Sequence, residues 1–201
     1  MRTLIALLSV AVAFAGSDLH PGVENVQSAK CLGSTSAPIV IELYSDYQCP
    51  ACRQLHIDDI RPVITDYVNS GKVYLVTRDF PLPMHPWAKT AARYANASVR
   101  LNKFRTVDDK LFDTQLEWSA NGEIEKALSS VLSKDELAKL KTYANDPKIE
   151  ESIASDVALG KKVNLTQTPT MMITHKGRSF PVAGVVSYPI LKRFLDNLLT
   201  Q

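Results

Sequence analysis

The sequence lacks the features that mark nucleic-acid-binding and membrane-spanning proteins. Its 201 residues carry a net charge of only +2, with acids and bases interspersed, so nothing predicts a nucleic-acid surface. It has no low-complexity tract and no internal repeat, and its N-terminal apolar run is too short to span a bilayer comfortably. With 45% hydrophobic and 22% charged residues, it is typical of one globular domain with a real core.

The first fifteen residues have the pattern of a secretory signal. Arg2 supplies a minimal positive region, Leu4 to Ala13 form the apolar stretch, and Ala13-Phe14-Ala15 fits a small-x-small cleavage site. An uncleaved N-terminal anchor is the alternative. Cleavage after Ala15 predicts a periplasmic or otherwise extracytoplasmic protein, in a compartment where disulfides form and persist.

Cysteine is scarce, and two of the three cysteines form the tetrapeptide Cys49-Pro50-Ala51-Cys52. The tetrapeptide follows an apolar run at 39–41 and precedes a helical pattern, which predicts both thiols at the first turn of a helix. Amide groups at a helix N-terminus favour a thiolate, the species that attacks disulfides. The motif therefore predicts a redox-active dithiol.

The third cysteine, Cys31, has no obvious partner. It follows a polar stretch at 27–30, which is not the small, apolar context that a lipid-anchoring cysteine requires. We expect an exposed thiol on a mobile N-terminal arm, and an intermolecular bridge is the alternative.

The order of elements predicts five segments: a signal peptide (1–15), an N-terminal extension (16–36), a βαβ part (37–85), an inserted helical subdomain (86–163) and a ββα part (164–201). In the βαβ part we expect a strand from Pro38 to Tyr44, a helix from Pro50 to about Asn69 bent at Pro62, and a strand from Val73 to Val76.

Capping signals mark helices in the insertion, where Ser133 with Glu136 has capping-box spacing and Asp146-Pro147 is typical of a helix start. In the ββα part, a turn at Lys176-Gly177 predicts an antiparallel hairpin. Ser187 is expected to cap a last helix whose apolar face is predicted to be buried. That face consists of Ile190, Leu191, Phe194, Leu195 and Leu198.

This order resembles the DsbA-like thioredoxin-fold family, from about Ala37 to the C-terminus. The specific motifs are residues 45–52 (SDYQCPAC), residues 79–82 (DFPL) with His85-Pro86, and Thr168-Pro169-Thr170 before an apolar run. The resemblance implies an α/β thioredoxin fold with a helical insertion between its two halves. It also implies a cis Thr168-Pro169 bond beside the disulfide, with Thr168 and Pro169 forming a peptide-docking edge.

The resemblance also implies a function. Family members with such a site are mostly monomeric extracytoplasmic thiol oxidases, which act on reduced, exported proteins and are reoxidised by a membrane partner. Cys49 would be the exposed nucleophile and Cys52 the buried resolving thiol, so that the disulfide is donated through a mixed disulfide at Cys49. No cofactor or metal is expected.

Two departures from the family pattern affect how the site is tuned. Pro50 suits the first helical turn, but Ala51 offers neither charge nor hydrogen-bond donor where strong oxidases often carry histidine, so we expect a milder oxidant. The carboxylate that members commonly place six residues before the nucleophile is replaced by Leu43. Strand alternation directs the adjacent Glu42 to the opposite face, so either a bulge rotates it inward or the acid is absent.

Other functions remain open at this stage. The same fold could act as a disulfide reductase or isomerase, or as a peptide-binding chaperone without turnover. A zinc site would need Cys31 and a histidine beside the two motif cysteines, which is a poor ligand set. Copper capture is a further alternative, with soft ligands offered by Met84-His85, Met171-Met172 and His175.

Overall fold

The computed structural model describes residues 25–201, so the predicted signal peptide lies outside the described residues. A five-stranded sheet has the order β1-β3-β2-β4-β5. Only β2 and β3 pair in parallel, while the other neighbours are antiparallel. The strands are β1 (Cys31–Leu32), β2 (Ile39–Ser45), β3 (Val73–Asp79), β4 (Thr170–His175) and β5 (Arg178–Ala183).

The N-terminal extension is more ordered than its sequence suggests. A helix, α1 (Asn25–Ala29), leads into β1, where Cys31 pairs with Val76 of β3. Cys31 is half-buried and its Sγ lies 3.1 Å from the Gln27 carbonyl oxygen, so the expectation of an exposed thiol on a mobile arm is wrong. The cause is tertiary, because the ammonium of Lys30 is buried between Asp79 (2.6 Å) and Asp156 (2.5 Å) and holds this segment down.

The predicted helix after the cysteines is confirmed from Pro50 to Val68, but it is not a regular α-helix. Pro62 lacks an amide donor and its ring crowds the preceding turn, which weakens the α-helical hydrogen-bond pattern around it. Wider π-helical turns lie on both sides of the proline. The segments are α2 (Pro50–Gln54), a π-helix (Leu55–Ile60), α3 (Arg61–Val63) and a second π-helix (Ile64–Val68).

Both halves of the sheet follow the predicted plan. β3 runs past Val76 to Asp79 because its parallel pairing with β2 continues to the Ser45–Asp79 pair. The hairpin of β4 and β5 is confirmed, and its turn residues Lys176 and Gly177 have φ of 47° and 74°, as a two-residue hairpin turn requires.

The insertion between β3 and β4 is helical, as predicted. The Ser133–Glu136 capping box is present, and the Asp146 side chain accepts the Lys148 N–H. Its elements are α4 (Ala88–Ser98), a 3₁₀ turn (Val99–Leu101), α5 (Phe104–Asp113), α6 (Gln115–Trp118), α7 (Ile124–Leu128), α8 (Lys134–Ala144) and α9 (Pro147–Lys162).

The last helix, α10 (Tyr188–Leu199), packs on the sheet through Leu191, Leu195 and Leu198, as predicted. Ile190 was expected on this buried face but is 54% exposed, because the apolar stripe is narrower than the sequence pattern. No helix in the described part of the chain is long and apolar enough to cross a membrane.

Candidate active site

The two motif cysteines lie at the start of the helical segment that follows β2. Cys49 is the N-cap, in extended conformation, and Pro50 occupies the first helical turn. The Cys49 carbonyl accepts the Arg53 N–H at 3.1 Å, which begins the helix. Both thiols are free in this structure. The two thiols therefore lie at a helix N-terminus, as the sequence predicted.

Cys49 is less exposed than expected. The exposed fraction of the residue is 7%, against 1% for Cys52, so Cys49 is buried where the sequence predicted an exposed nucleophile. The reason is a close approach by the loop before β4, since Cys49 Sγ lies 3.5 Å from the Thr168 carbonyl oxygen. The order of burial is nevertheless as predicted, with Cys52 the deeper of the two.

The surroundings shift the pKa values of the two thiols in opposite directions. A hydrogen bond from the Cys52 side chain, supported by the N–H groups of Cys52 and Ala51 and by Thr168, lowers the pKa of Cys49 from 9.0 to about 5 although burial opposes it. Burial, followed by the neighbouring Cys49, raises the pKa of Cys52 well above 9.0. Near neutral pH the arrangement is therefore a Cys49 thiolate that accepts a hydrogen bond from a Cys52 thiol.

The loop before β4 closes the site from the other side. The Thr168-Pro169 bond is cis, which confirms the geometry that the family resemblance implies. Thr168 is buried beside Cys49, and the Pro169 carbonyl accepts the Gly184 N–H at 2.8 Å at the end of the hairpin. The two distant sequence signals thus meet at one place.

Asp46, in the loop between β2 and the cysteines, is a site residue that the sequence analysis did not single out. It is 1% exposed, and its carboxylate accepts the N–H groups of Gln48 and Leu82 (2.7 Å each) and lies 2.8 Å from His85 Nδ1. Its own N–H points at Cys52 Sγ (3.4 Å), and its carbonyl accepts the Cys49 N–H (3.1 Å). The sequence signals for it are the Asp46-x-Gln48 spacing of an Asx turn and its place in the family motif at 45–52.

Two glutamines join the cysteine loop to the helical insertion, and neither was predicted. The Gln48 side chain donates to the Ser119 carbonyl (2.9 Å) and accepts the Trp87 N–H (2.7 Å). Gln115 is 1% exposed, and its amide nitrogen donates to the carbonyls of Tyr47 (2.7 Å) and Cys49 (3.0 Å). No local sequence pattern could have found these contacts, since the residues that they join lie between 39 and 71 positions apart.

The structure also shows whether a bulge in β2 turns Glu42 toward the cysteines. The pairing of β2 with both neighbours is continuous from Ile39 to Tyr44, which leaves no bulge to rotate Glu42. Its carboxylate pairs with Arg78 at 2.7 Å, and Leu43 is buried in the apolar core of the sheet. Neither residue therefore supplies a carboxylate to the cysteines.

The alternative metal sites gain no support from the geometry. Within residues 25–201, the one cluster of three His, Cys, Asp or Glu side chains with ligand-like spacing is His56, Asp108 and Asp109, which includes neither motif cysteine. Arg105 already pairs with both of these aspartates. His175, a proposed copper ligand, is buried with Nδ1 2.9 Å from the Pro38 carbonyl oxygen.

The chain is similar in sequence to known proteins of two kinds. Disulfide bond formation protein D of Bacillus subtilis is 25% identical over 169 residues, covering 80% of this chain and 74% of that protein. Na(+)/H(+) antiporter NhaA 1 of Mycolicibacterium vanbaalenii is 30% identical over 153 residues, covering 72% of this chain but only 24% of the antiporter.

The solved structures include alpha-DsbA1 of Wolbachia pipientis, which superimposes with a TM-score of 0.72 at 21% identity and covers 84% of this chain and 89% of that one. This likeness confirms the predicted α/β thioredoxin fold with its helical insertion. The family model described as Thioredoxin matches residues 25–196, which is most of the chain. The chain therefore belongs to the thioredoxin family, as a DsbA-like thiol–disulfide oxidoreductase.

Proposed function

We propose that the protein is an extracytoplasmic dithiol oxidase that donates its Cys49–Cys52 disulfide to reduced, exported proteins. The observation that carries this proposal is the opposite shift of the two thiols, with the pKa of Cys49 lowered to about 5 and that of Cys52 raised. Stabilising one thiolate stabilises the reduced form of the protein. A couple whose reduced form is stabilised gives up its disulfide readily, which makes it oxidising.

The reaction proceeds by two exchanges. A substrate thiolate attacks Cys49 Sγ, a substrate–Cys49 disulfide forms, the Cys49–Cys52 bond breaks, and the Cys52 sulfur leaves and takes up a proton. The second thiolate of the substrate then attacks the substrate sulfur that is bonded to Cys49. The substrate disulfide forms, and Cys49 leaves as a thiolate. The substrate loses two electrons and the protein gains them, so no cofactor is consumed.

In this proposal the residues around the cysteines have the roles that the sequence suggested. Pro50 begins the helix at no cost in hydrogen bonds, and Ala51 contributes its N–H but no charge. A Cys49 pKa of about 5 lies between the values of about 3.5 for a strongly oxidising DsbA and about 7 for thioredoxin, which supports a milder oxidant. Thr168 and Pro169 would dock an extended substrate by backbone hydrogen bonds, with little dependence on its side chains.

The proposed setting follows from the chemistry and from the relatives. An oxidase must return its electrons to another acceptor, and we propose a membrane redox partner for that step. The sequence pattern at 1–15 supports export, and the B. subtilis relative is named for disulfide bond formation. We expect the protein to act as a monomer.

The proposal is tested with a reduced peptide that contains two cysteines and becomes fluorescent on oxidation. The oxidised wild-type protein should oxidise it stoichiometrically, and Cys49→Ala should abolish the reaction. Cys31→Ala is the matched control, because it removes the cysteine that lies in β1, and it should react at the wild-type rate. Full activity of Cys49→Ala would overturn the mechanism.

The direction of disulfide exchange distinguishes the proposed oxidase from a reductase or isomerase of the same fold. Insulin reduction driven by a dithiol reductant measures the first activity, and refolding of a scrambled disulfide protein measures the second. If either activity exceeds peptide oxidation under matched conditions, the assignment as an oxidase is wrong although the cysteine chemistry stands.

A further inference from the structure

Asp46 contacts both halves of the dithiol through its backbone. Its N–H points at Cys52 Sγ, and its carbonyl accepts the Cys49 N–H. Both atoms belong to one peptide segment, so any movement of Asp46 changes its contacts with the two cysteines together. The contacts that hold Asp46 in place therefore also hold its N–H against the buried Cys52 sulfur.

The side chain of Asp46 is what fixes it. One carboxylate oxygen accepts the Gln48 N–H within the same loop. The other accepts the Leu82 N–H and the His85 ring, both from the segment that links β3 to the insertion. The carboxylate is fully enclosed, while the His85 side chain remains 18% exposed at the surface of the site. A buried carboxylate needs such donors, so removing one of them disturbs the loop.

Cys52 depends on that N–H more than Cys49 does. Cys49 receives hydrogen bonds from several neighbours, whereas burial of Cys52 disfavours its thiolate, and the Asp46 N–H and the Ser45 side chain are the hydrogen bonds that oppose this effect. Cys52 must nevertheless become a thiolate whenever it attacks a mixed disulfide at Cys49, both when it expels a stalled substrate and when the protein is reoxidised. The Asp46 N–H is the backbone donor aimed at its sulfur.

We propose that Asp46, held by His85 and the Leu82 N–H, is a positioning residue for the resolving thiol Cys52. This inference rests on the proposed oxidase function and deepens it. Neither side chain touches the reacting sulfurs in this proposal. The carboxylate and the imidazole act by holding one peptide N–H against Cys52 while its sulfur carries charge in the resolving step.

A chromogenic aromatic disulfide, dithiobis-nitrobenzoate, separates the two thiols kinetically. The Cys49 thiolate of the reduced protein attacks the reagent, forms a mixed disulfide and releases one coloured thiolate. Cys52 then loses its proton to water and attacks Cys49 Sγ, the Cys49–Cys52 disulfide forms, and the second coloured thiolate leaves. The reagent is reduced and the protein oxidised, so the first phase of colour reports on Cys49 and the second on Cys52.

His85→Leu and Asp46→Asn should each slow the second phase by about tenfold or more, the effect of losing one good hydrogen bond to a charged atom. The first phase should change by less than about threefold, because Cys49 keeps its other donors. His85→Asn should restore the second phase, since its amide nitrogen is separated from Cβ by the same two bonds as Nδ1 and can donate to the carboxylate. The matched control is Asp59→Asn, which alters another buried carboxylate that accepts a backbone N–H, from Tyr188.

An unchanged second phase in His85→Leu overturns the inference, and so does equal slowing of both phases, which would indicate general loosening of the site. If Asp46→Asn does not fold, the His85 pair of variants decides alone. The oxidase proposal fails separately, by full peptide oxidation in Cys49→Ala, whatever the two phases show.

Discussion

The molecule has two hydrophobic cores, one beside the sheet and one in the helical insertion, and the cysteines belong to the core of the insertion. The core of the sheet lies between the strands, α10 and the later turns of the cysteine helix, including Leu55, Ile60 and Val63. The first turn of that helix, with Cys49 and Cys52, packs instead with the core of the helical insertion. The thioredoxin-fold part thus carries the thiols, while the insertion supplies much of their surroundings.

This difference teaches how one fold can be tuned. Residues of the sheet core can change without touching the sulfurs, whereas changes in the insertion reach them through Tyr47, Gln48 and Gln115. We therefore expect lesions in the two cores to have similar effects on stability but different effects on the chemistry of Cys49.

The largest expected effect comes from Trp118→Ala in the insertion core. Trp118 is fully buried and its indole N–H donates to the Leu111 carbonyl at 2.9 Å. We expect a loss of about 3–5 kcal/mol in the free energy of unfolding, measured with urea, because the substitution leaves a large cavity. The pKa of Cys49 should also rise, because α6, which carries both Trp118 and Gln115, loses its anchor.

The matched lesion in the sheet core is Leu195→Ala, at a position that is also fully buried. It should cost about 2–5 kcal/mol and leave the Cys49 titration where it was. If Leu195→Ala moved the Cys49 pKa as far as Trp118→Ala does, the distinction between the two cores would be wrong.

A smaller effect is expected for Gln115→Leu, which tests the link itself. The substitution keeps most of the side-chain volume but removes the Gln115 donor from the Tyr47 carbonyl and leaves the Cys49 carbonyl with the Arg53 N–H. We expect a loss of about 1–3 kcal/mol for the two lost buried hydrogen bonds, together with slower oxidation of the two-cysteine peptide. The exposed Gln54→Leu on the cysteine helix is the control. Equal behaviour of the two variants would show that the link is not needed.

The smallest effect is expected for Glu42→Gln. Glu42 pairs with Arg78 at a half-exposed position, which predicts a change of about 0–1 kcal/mol. The rate of thiol exchange should be unchanged, because its carboxylate faces Arg78. A slowing of the second colour phase comparable to that of Asp46→Asn would instead make Glu42 part of the route for the Cys52 proton.

The sequence predicted the parts of the fold whose signals are local. Apolar runs gave the strands, capping residues such as Ser133 and Asp146 gave helix starts, and the Lys176-Gly177 pair gave the hairpin turn. It did not predict α1 and β1, because a two-residue strand is defined only by its partner in β3.

The same distinction holds for the site. The Cys49-Pro50-Ala51-Cys52 motif and Thr168-Pro169 were visible in the sequence because each is a local motif. The near-complete burial of Cys49 and the contacts of Asp46 with His85 arise from segments that meet only after folding. Local patterns therefore identified the reacting atoms, while tertiary contacts determine how those atoms are tuned.

The lowered pKa of Cys49 has a consequence for stability. A thiol whose pKa is lower in the folded than in the unfolded protein stabilises the fold fully above its ordinary value of 9.0, and this contribution is lost as the pH falls through about 5. Because only the reduced protein has the thiol, its free energy of unfolding relative to that of the oxidised form should increase as the pH rises from about 5 to 9.0. Urea unfolding of both forms across that range measures the difference.

The most direct test of the account is a titration of Cys49 by the ultraviolet absorbance of its thiolate, in a Cys31→Ala background that removes the third thiol. The account predicts a midpoint at about 5, and a midpoint near the ordinary value of 9.0 would contradict it.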